Sequence, residues 1–567
     1  MRDLVRREIL EFDENPRSPE RGQYRFVQSL IREVAYGRLT KVEKVSRHLS
    51  IAKELSALND PELAGVVASH YANAAAADPS DESLAKTAKE ALIAAAGRAS
   101  ELHSYSQTVR LLDQAMEFAS DEREALGLLV RSSTAAAFAG FDNPHARAEK
   151  ALEAYRELGD TDGVVAAVTV IARHLSGSFR STEAVEFILP VYQSTEESGT
   201  REWALLAVET ARALMLATRS EEAVEVSNAV LPAVARIDDI PILLDAIINL
   251  ATALSNLNRR TEGMVFLLGA VEFARRHDML APQLRAMNNL YSIQQNDDLY
   301  SLPPQELVGL IDRSGDQDWI TRSAFFEGIS LLGHGRFAET LAALDRIDNE
   351  LLSEFWKDWF EVTRIATLDA RDGFDDERTA RHEAIEDKYR ATTDPQLAES
   401  VAVNAVRRTF LQGEPKRAAD LASEVLTTWS GYPEHLELAL LGSAMAGEVE
   451  GVRWVRTALR DAPEGRAIEG LKAFVDTYEC ALTGRYEEAA SAYLLGNATW
   501  AQVQVPSVHA TAQAVAGMVL GPDTVVGAEA TAAAFSFFSE AGATLYLNLF
   551  ADLFLTLEVA EAEGLAG

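Results

Sequence analysis

Two stretches decide the fold: Ala481-Leu482-Thr483-Gly484-Arg485-Tyr486-Glu487-Glu488-Ala489 and Leu331-Leu332-Gly333-His334-Gly335-Arg336-Phe337-Ala338-Glu339. Each reads as the end of one helix, a glycine-bearing turn, and a second helix that opens with acidic residues and alanine. Glycine past a last helical turn supplies the left-handed conformation that ends it, and carboxylates suit the positive end of the helix that follows. Weaker copies centre on Tyr105, Phe141, Phe179, Arg219, Arg260, Tyr300, Phe374, Gly413 and Glu448. With Phe337 and Tyr486 in their places, successive centres lie 35 to 41 residues apart. A period of that length is one helical hairpin per unit, stacked on its neighbours.

Working outward, almost every window from residue 25 onward carries apolar residues at i, i+3, i+4 and i+7, and no stretch sustains the two-residue alternation of a strand. Val27, Leu30, Ile31, Val34 and Ala35 mark one helix face and Gly37 suits the position after its end. Thr40 with Glu43 forms a capping box for the next helix, and Asp60-Pro61 opens another that runs toward Ala76. Gly328, seven before Gly335, lets two helices of a hairpin approach, while Phe337 or Tyr486 at the turn and Leu344 or Tyr493 in the second helix fill the gap to the next unit. This matches the tetratricopeptide consensus in part: Thr477 stands where the small packing glycine belongs in the copy around Tyr486. The expected fold is all-α, a tetratricopeptide-like helical-hairpin solenoid preceded by a short winged-helix-like segment. Its expected divisions are a winged-helix-like linker remnant over 1–60, a first repeat array over 61–310, and a second array with capping helices over 311–567.

The chain has 567 residues, 53 Lys+Arg against 87 Asp+Glu and a formal net charge of −34. A charge of that sign repels phosphate backbones and anionic lipid, so neither nucleic acid nor membrane is expected as a partner of the whole surface. One cysteine, Cys480, makes no intrachain disulfide and no thiolate metal site, and residues 1–20 hold no apolar signal-peptide core. The longest stretch free of charged side chains, Ala489 to Pro522, is interrupted by polar residues and cannot span a bilayer. A cytoplasmic protein is expected. Residues 1–60 differ from the rest: 12 Lys+Arg against 10 Asp+Glu give +2, leaving −36 for residues 61–567. Arg25, Arg32, Arg38, Lys41, Lys44 and Arg47 form a basic face that serves either as a solvated surface or as a docking face for another domain.

No catalytic constellation emerges. The sequence contains no Gly-Lys dipeptide and so no phosphate loop, no nucleophile elbow, and no glycine fingerprint after a strand; His382-Glu383 lacks the second histidine of a zincin helix. The ten histidines are scattered, and no pair has metal-ligand spacing. His70-Tyr71 reads as a packed pair, Cys480 as an inert buried thiol, and Asp60, Asp78 and Asp81 as helix caps. No catalytic residue, metal ligand or cofactor is expected. The densest aromatic cluster is Phe355-Trp356-Lys357-Asp358-Trp359-Phe360, whose four rings share one side of a helix. Packing between repeats is the simpler reading of Phe355, Trp356, Trp359 and Phe360; an anchor for a partner on the concave face is the sharper one. The acidic surplus adds that a polar partner would be basic.

The run Tyr24-Arg25-Phe26-Val27-Gln28-Ser29-Leu30-Ile31-Arg32-Glu33-Val34-Ala35-Tyr36, then Arg47-His48-Leu49-Ser50-Ile51-Ala52, Glu62-Leu63-Ala64 and Ala68-Ser69-His70-Tyr71, resembles the region after the ATPase domain of multidomain bacterial class III adenylate/guanylate cyclases. In those proteins a cyclase domain precedes a signal-transduction ATPase, a winged-helix-like linker and a long tetratricopeptide-type superhelix. The family's metal-binding aspartates, purine-selecting groups and phosphate loop have no counterparts here, so no catalytic residue carries over. The resemblance places Met1 inside the linker, which leaves a split gene, an internal start or a truncated gene as readings. It implies a non-catalytic regulatory or scaffolding superhelix with a protein or small effector on its concave face, and with a nucleotide-binding ATPase or cyclase module, encoded upstream, against its basic N-terminal helices. The alternatives are a stand-alone repeat adaptor, or the effector-sensing domain of a maltose-regulator type activator. The second needs a DNA-reading helix-turn-helix, which the acidic Ala-rich end Glu558 to Gly567 does not offer.

Overall fold

The computed structural model describes every residue except 1, 8, 13–23, 103, 139–144, 295–301, 349, 351, 429–432, 461, 463–464, 504 and 563–567. The repeat centres at Phe141 and Tyr300 and the turn Asn15-Pro16-Arg17-Ser18-Pro19 therefore lie outside the described residues. Two compact units divide the chain, Met1–Val164 and Val165–Gly567.

In the first unit, two strands not anticipated by the sequence reading, Leu10–Phe12 and Tyr24–Phe26, pair antiparallel with Leu10 opposite Phe26. Three residues are too few for alternation to register. Helices Ser29–Gly37 and Lys41–Ser56 follow. The capping box is present: the Glu43 amide donates to Thr40 Oγ1 at 3.3 Å, and the Thr40 amide to Glu43 Oε2 at 2.8 Å. Gly37 is the last residue of its helix, not the residue beyond it, and Arg38 closes the end in a right-handed conformation. Asp60 caps a single 3-10 turn, Pro61–Leu63, before the α-helix Ala64–Ala77 begins. The apolar face of the first of these helices is not packed inward: Val27, Leu30 and Val34 are exposed.

The second unit is a tetratricopeptide-like solenoid of helical hairpins. Its turns share one construction. At Phe179, Thr218, Asn258, Gly335, Gly413, Gly447 and Gly484 the backbone is left-handed. The amide of the next residue then reaches back five positions, as from Arg219 to Leu214 O at 2.9 Å, Arg336 to Leu331 O at 3.0 Å and Arg485 to Cys480 O at 2.8 Å. This is the Schellman closure. In five turns that next residue is arginine, and its guanidinium ion-pairs with a glutamate three positions on: Arg180 with Glu183, Arg219 with Glu222, Arg259 with Glu262, Arg336 with Glu339, Arg485 with Glu488. One residue thus ends one helix through its backbone and tethers, through its side chain, the first-turn carboxylate of the next. Gly328 packs under Leu344 of its own hairpin, and Phe337, Leu344 and Tyr493 are buried, but Tyr486 is exposed and fills no gap. At Gly470 a Cβ would fall inside the Trp500 indole, which is fully buried between the helices Arg466–Leu482 and Tyr486–Trp500.

The first helices of successive hairpins touch one another, Arg201–Leu216 against Ile240–Asn256 and the latter against Leu280–Gln294, so they form the inner wall. The array also closes on itself. Asp394 Oδ1 caps the helix Pro395–Leu411 by accepting from the amides of Gln396 and Leu397, both at 3.1 Å. Its Oδ2 accepts from the amide of Ser181 at 2.9 Å and from Ser181 Oγ at 2.5 Å, 213 positions earlier. Phe179, two residues before, stacks its ring on Phe355 with centroids 4.3 Å apart. Gly335 likewise abuts Phe537 and Ala541. One turn of the superhelix thus rests on the next.

Removing the Asp394 carboxylate leaves two helix N-termini and a buried hydroxyl without their acceptor. Asp394→Ala is expected to lower stability by roughly 3 kcal/mol, counting two caps and a buried donor set, and to enlarge the radius of gyration. Urea titration and small-angle scattering check the two effects together; unchanged scattering with lowered stability assigns Asp394 to capping alone.

Candidate functional site

The four aromatic candidates lie on the helix Glu354–Asp372. Trp356, Trp359 and Phe360 are buried and Phe355 is half-buried. Phe355 faces Phe179; Trp356 and Phe360 face Phe325; Trp359 stacks on Tyr389 at 6.3 Å. Arg322 sits over both Phe179 and Trp356, at 5.7 and 5.5 Å. These rings join one superhelical turn to the next. Phe179 holds a left-handed conformation that costs an ordinary residue about 1–2 kcal/mol, and its ring stack offsets that strain.

Of the basic candidates in the first unit, Lys41 pairs with Asp78 at 2.5 Å and Lys44 lies over the Tyr36 ring at 4.7 Å. Arg38 and Arg47 are exposed. The side chains of Arg25 and Arg32 lie outside the described residues. The fold does bring two histidines together that spacing kept apart: His48 Nδ1 and His70 Nδ1 are 2.9 Å from each other, and His48 Nε2 meets Tyr36 Oη at 2.9 Å. Burial lowers the pKa of both rings, and His48 is lowered further by His70. No group of three or more metal-ligating side chains occurs among the described residues.

The inner wall of the second unit carries a polar ladder. Arg173, on the helix Thr161–Gly177, donates to Glu209 Oε1 from Nε at 3.0 Å and Nη2 at 2.6 Å. Arg285 donates to Asp245 at 2.5 Å and to Asn249 Oδ1, while Asn249 Nδ2 donates to Val208 O at 2.9 Å. Asn289 Nδ2 reaches Thr252 Oγ1 at 2.9 Å. Burial pushes the Glu209 carboxyl up, but Arg173, Arg212 and Arg285 reverse it and hold it below the usual range. Burial also draws Arg212 down to about 10. Each rung ties one inner helix to the next, so the ladder sets the stacking of the hairpins.

The large opening is elsewhere. A cleft of about 1100 Å³ lies between the turn and first residues of the helix Arg260–Arg276 on one side and the segment 456–476 on the other. Asn258, Arg259, Arg260, Thr261, Glu262 and Met264 line the first wall; Arg456, Leu459, Arg460, Ala462, Lys472, Val475 and Asp476 line the second. Five cations thus meet two lining carboxylates, and two further acids pair with them from just outside the lining, Glu469 with Lys472 and Glu479 with Arg456, leaving an excess of one positive charge. Both lining carboxylates are held: Glu262 by Arg259 at 2.6 Å, and Asp476 by Arg456 at 2.6 Å. Lys472 bonds Glu469 at 2.7 Å, whereas Arg460 is exposed and forms no ion pair among the described residues. Leu459 and Val475 are buried beneath the cations, with Met264 and Ala462 half-covered. The sequence reading missed this site because its walls are about two hundred residues apart; only the run of arginines at 259–260 and 456–460 hints at it.

Other buried titratable groups face no opening of useful size. His382 Nε2 and Glu386 Oε1 are 3.5 Å apart beside a cavity of about 10 Å³, and Arg408 pairs with Glu386 at 2.5 Å. Glu437 is buried, and burial raises its carboxyl to about 8. Cys480 is buried, and burial raises its thiol. No described helix is long and apolar enough to cross a membrane.

No protein-family profile and no curated protein sequence matches the chain. Among solved structures it is similar to a chain of the APC/C hetero-tetramer Cut9-Hcn1, with a TM-score of 0.41 and 11% identity, covering 91% of this chain and 99% of that one.

The buried groups set a pH profile. Burial lowers His382 and His509 to about 4, so below their ordinary 6.5 the unfolded chain binds protons that the fold refuses, and stability is lost as pH falls. Glu437 acts in the opposite sense: between its ordinary 4.5 and about 8 the fold holds a proton that the unfolded chain releases, so stability is lost as pH rises. Below 6.5 the two histidines outweigh the one glutamate. The urea midpoint is expected to peak near pH 6.5, and Glu437→Gln to remove the fall between that pH and 8; an unchanged alkaline limb in the variant excludes Glu437 as its source.

Proposed function

We propose that the chain is a non-catalytic regulatory or scaffolding superhelix whose recognition surface is the cleft between residues 258–264 and 456–476, acting within a cyclase-type signal-transduction ATPase system. The observation that carries the recognition role is the state of the cleft's acids. Glu262 and Asp476 are both locked to arginines, so neither is placed to move a proton, while the cations and the apolar floor suit the binding of a complementary surface. The cleft also spans two turns of the superhelix, so an occupant that touches both walls reads and holds the spacing between them. That is a means of regulation in a molecule whose turns also meet through contacts such as Asp394 with Ser181. The signalling context rests on the resemblance of Tyr24–Tyr36 and the segments after it to the linker of the multidomain cyclases.

Two measurements test this reading. The purified chain is expected to turn over neither ATP nor GTP, and hydrolysis or cyclic-nucleotide formation above the buffer rate overturns it. Co-purification with a nucleotide-binding module is expected to weaken when Arg460 and Lys472 are both changed to Glu, both being exposed positions on the cleft wall. Capture that ignores the double change moves the interaction surface off the cleft.

A further inference from the structure

Resting on that reading, we infer that the cleft takes an acidic segment of a partner protein, seated by the cations of both walls with an apolar side chain between Met264 and Ala462. The whole-chain charge of −34 points the other way and led to the expectation of a basic partner. Local geometry decides against it. At physiological salt, charges beyond about 8 Å are largely screened, so a ligand in the cleft feels the groups that line it more than the distant acidic surface. The five cations there outnumber by one the four carboxylates that pair with them, Glu262, Asp476, Glu469 and Glu479, and each of these acids is already engaged. A basic segment would have to break those pairs or face Arg460 and Lys472 directly. An acidic one meets Arg460, which has no competing carboxylate among the described residues, and Lys472, whose pairing with Glu469 is solvent-exposed.

Size and shape favour a peptide. Small-molecule sites run to about 300–1,000 Å³ and enclose most of the ligand, whereas this cleft is about 1100 Å³ and open to solvent along its length. Its floor is apolar and its rim charged, the arrangement of a protein interface. Arg460 presents a planar fork that fits a carboxylate edge-on, whereas Arg259 is engaged by Glu262 and Arg456 by Asp476 and Glu479. The acidic residues of the partner would flank one apolar residue, which enters between Met264 and Ala462.

The test uses the full chain and a fluorescein-labelled peptide of Glu and Asp around a central Leu, read by fluorescence anisotropy. Binding is expected at physiological salt, abolished near 1 M salt, and weakened about tenfold by Arg460→Glu with Lys472→Glu. Arg460→Lys is expected to retain most of the affinity, and far-UV circular dichroism of each variant shows that the fold is kept. Three results overturn the inference: a Lys/Arg peptide that binds more tightly than the acidic one, an acidic peptide whose binding ignores the double change, or inorganic polyphosphate that competes at equal charge with no contribution from Leu. If the acidic peptide fails to bind while module capture still depends on Arg460 and Lys472, the inference fails and the scaffold reading stands. If capture fails as well, the scaffold reading falls with it.

Discussion

A buried carboxylate ties one turn of the second unit to another through the backbone of both. Asp394 ends its own loop by capping one helix and, with its other oxygen, caps the helix that begins at Ser181, 213 positions earlier. Helix N-termini carry unpaired amides that must find acceptors, and burial makes an empty position costly. By serving two termini at once, Asp394 makes contact between superhelical turns a condition for satisfying the backbone within each. The stack of Phe179 on Phe355 adds to this, since Phe179 adopts a left-handed conformation for which glycine is the usual choice. A residue under strain at a turn, with its ring placed against the next turn, couples local geometry to the closure of the array.

The repeat itself was legible, and the reason is geometric. A Schellman turn needs a left-handed residue at one position, and Gly335, Gly413 and Gly484 advertise it. Where the position is held by Phe179, Thr218 or Asn258, the glycine signal vanishes while the turn persists. The more faithful mark is the arginine that follows, with glutamate three residues on, because that pair reflects what the turn requires of both helices. Centring the copies on the turn, with its glycine and following acids, found the period but not the arginine–glutamate pair that spans it. The strands Leu10–Phe12 and Tyr24–Phe26 were missed for a different reason: three residues offer no pattern to read.

The site was less legible because closure, not local sequence, creates it. The aromatic run at 355–360 stands out in any one-dimensional reading, yet its rings meet Phe179, Phe325 and Tyr389, the first of which lies far away in the chain. The cleft shows the converse. Arg259, Arg260, Arg456 and Arg460 are ordinary residues of a charged surface until the superhelix brings residues 258–264 opposite 456–476. His48 and His70 make the same point in the first unit, where helix packing alone sets their 2.9 Å separation.

These features bear on one another through the spacing between turns. The polar ladder from Arg173 to Arg285 fixes how one inner helix follows the next, so the curvature of the wall is set by ion pairs and amide bonds that resist sliding. Across the superhelix the restraints combine the Asp394 latch, the Phe179 stack and an apolar core in which Phe337, Ala370 and Phe410 pack with Phe538 and Phe550. The cleft lies between two such turns, so whatever fills it touches both. On the proposed reading an acidic occupant would meet Arg460 on one wall and bridge to the other, so its binding and the approach of the two walls would favour each other.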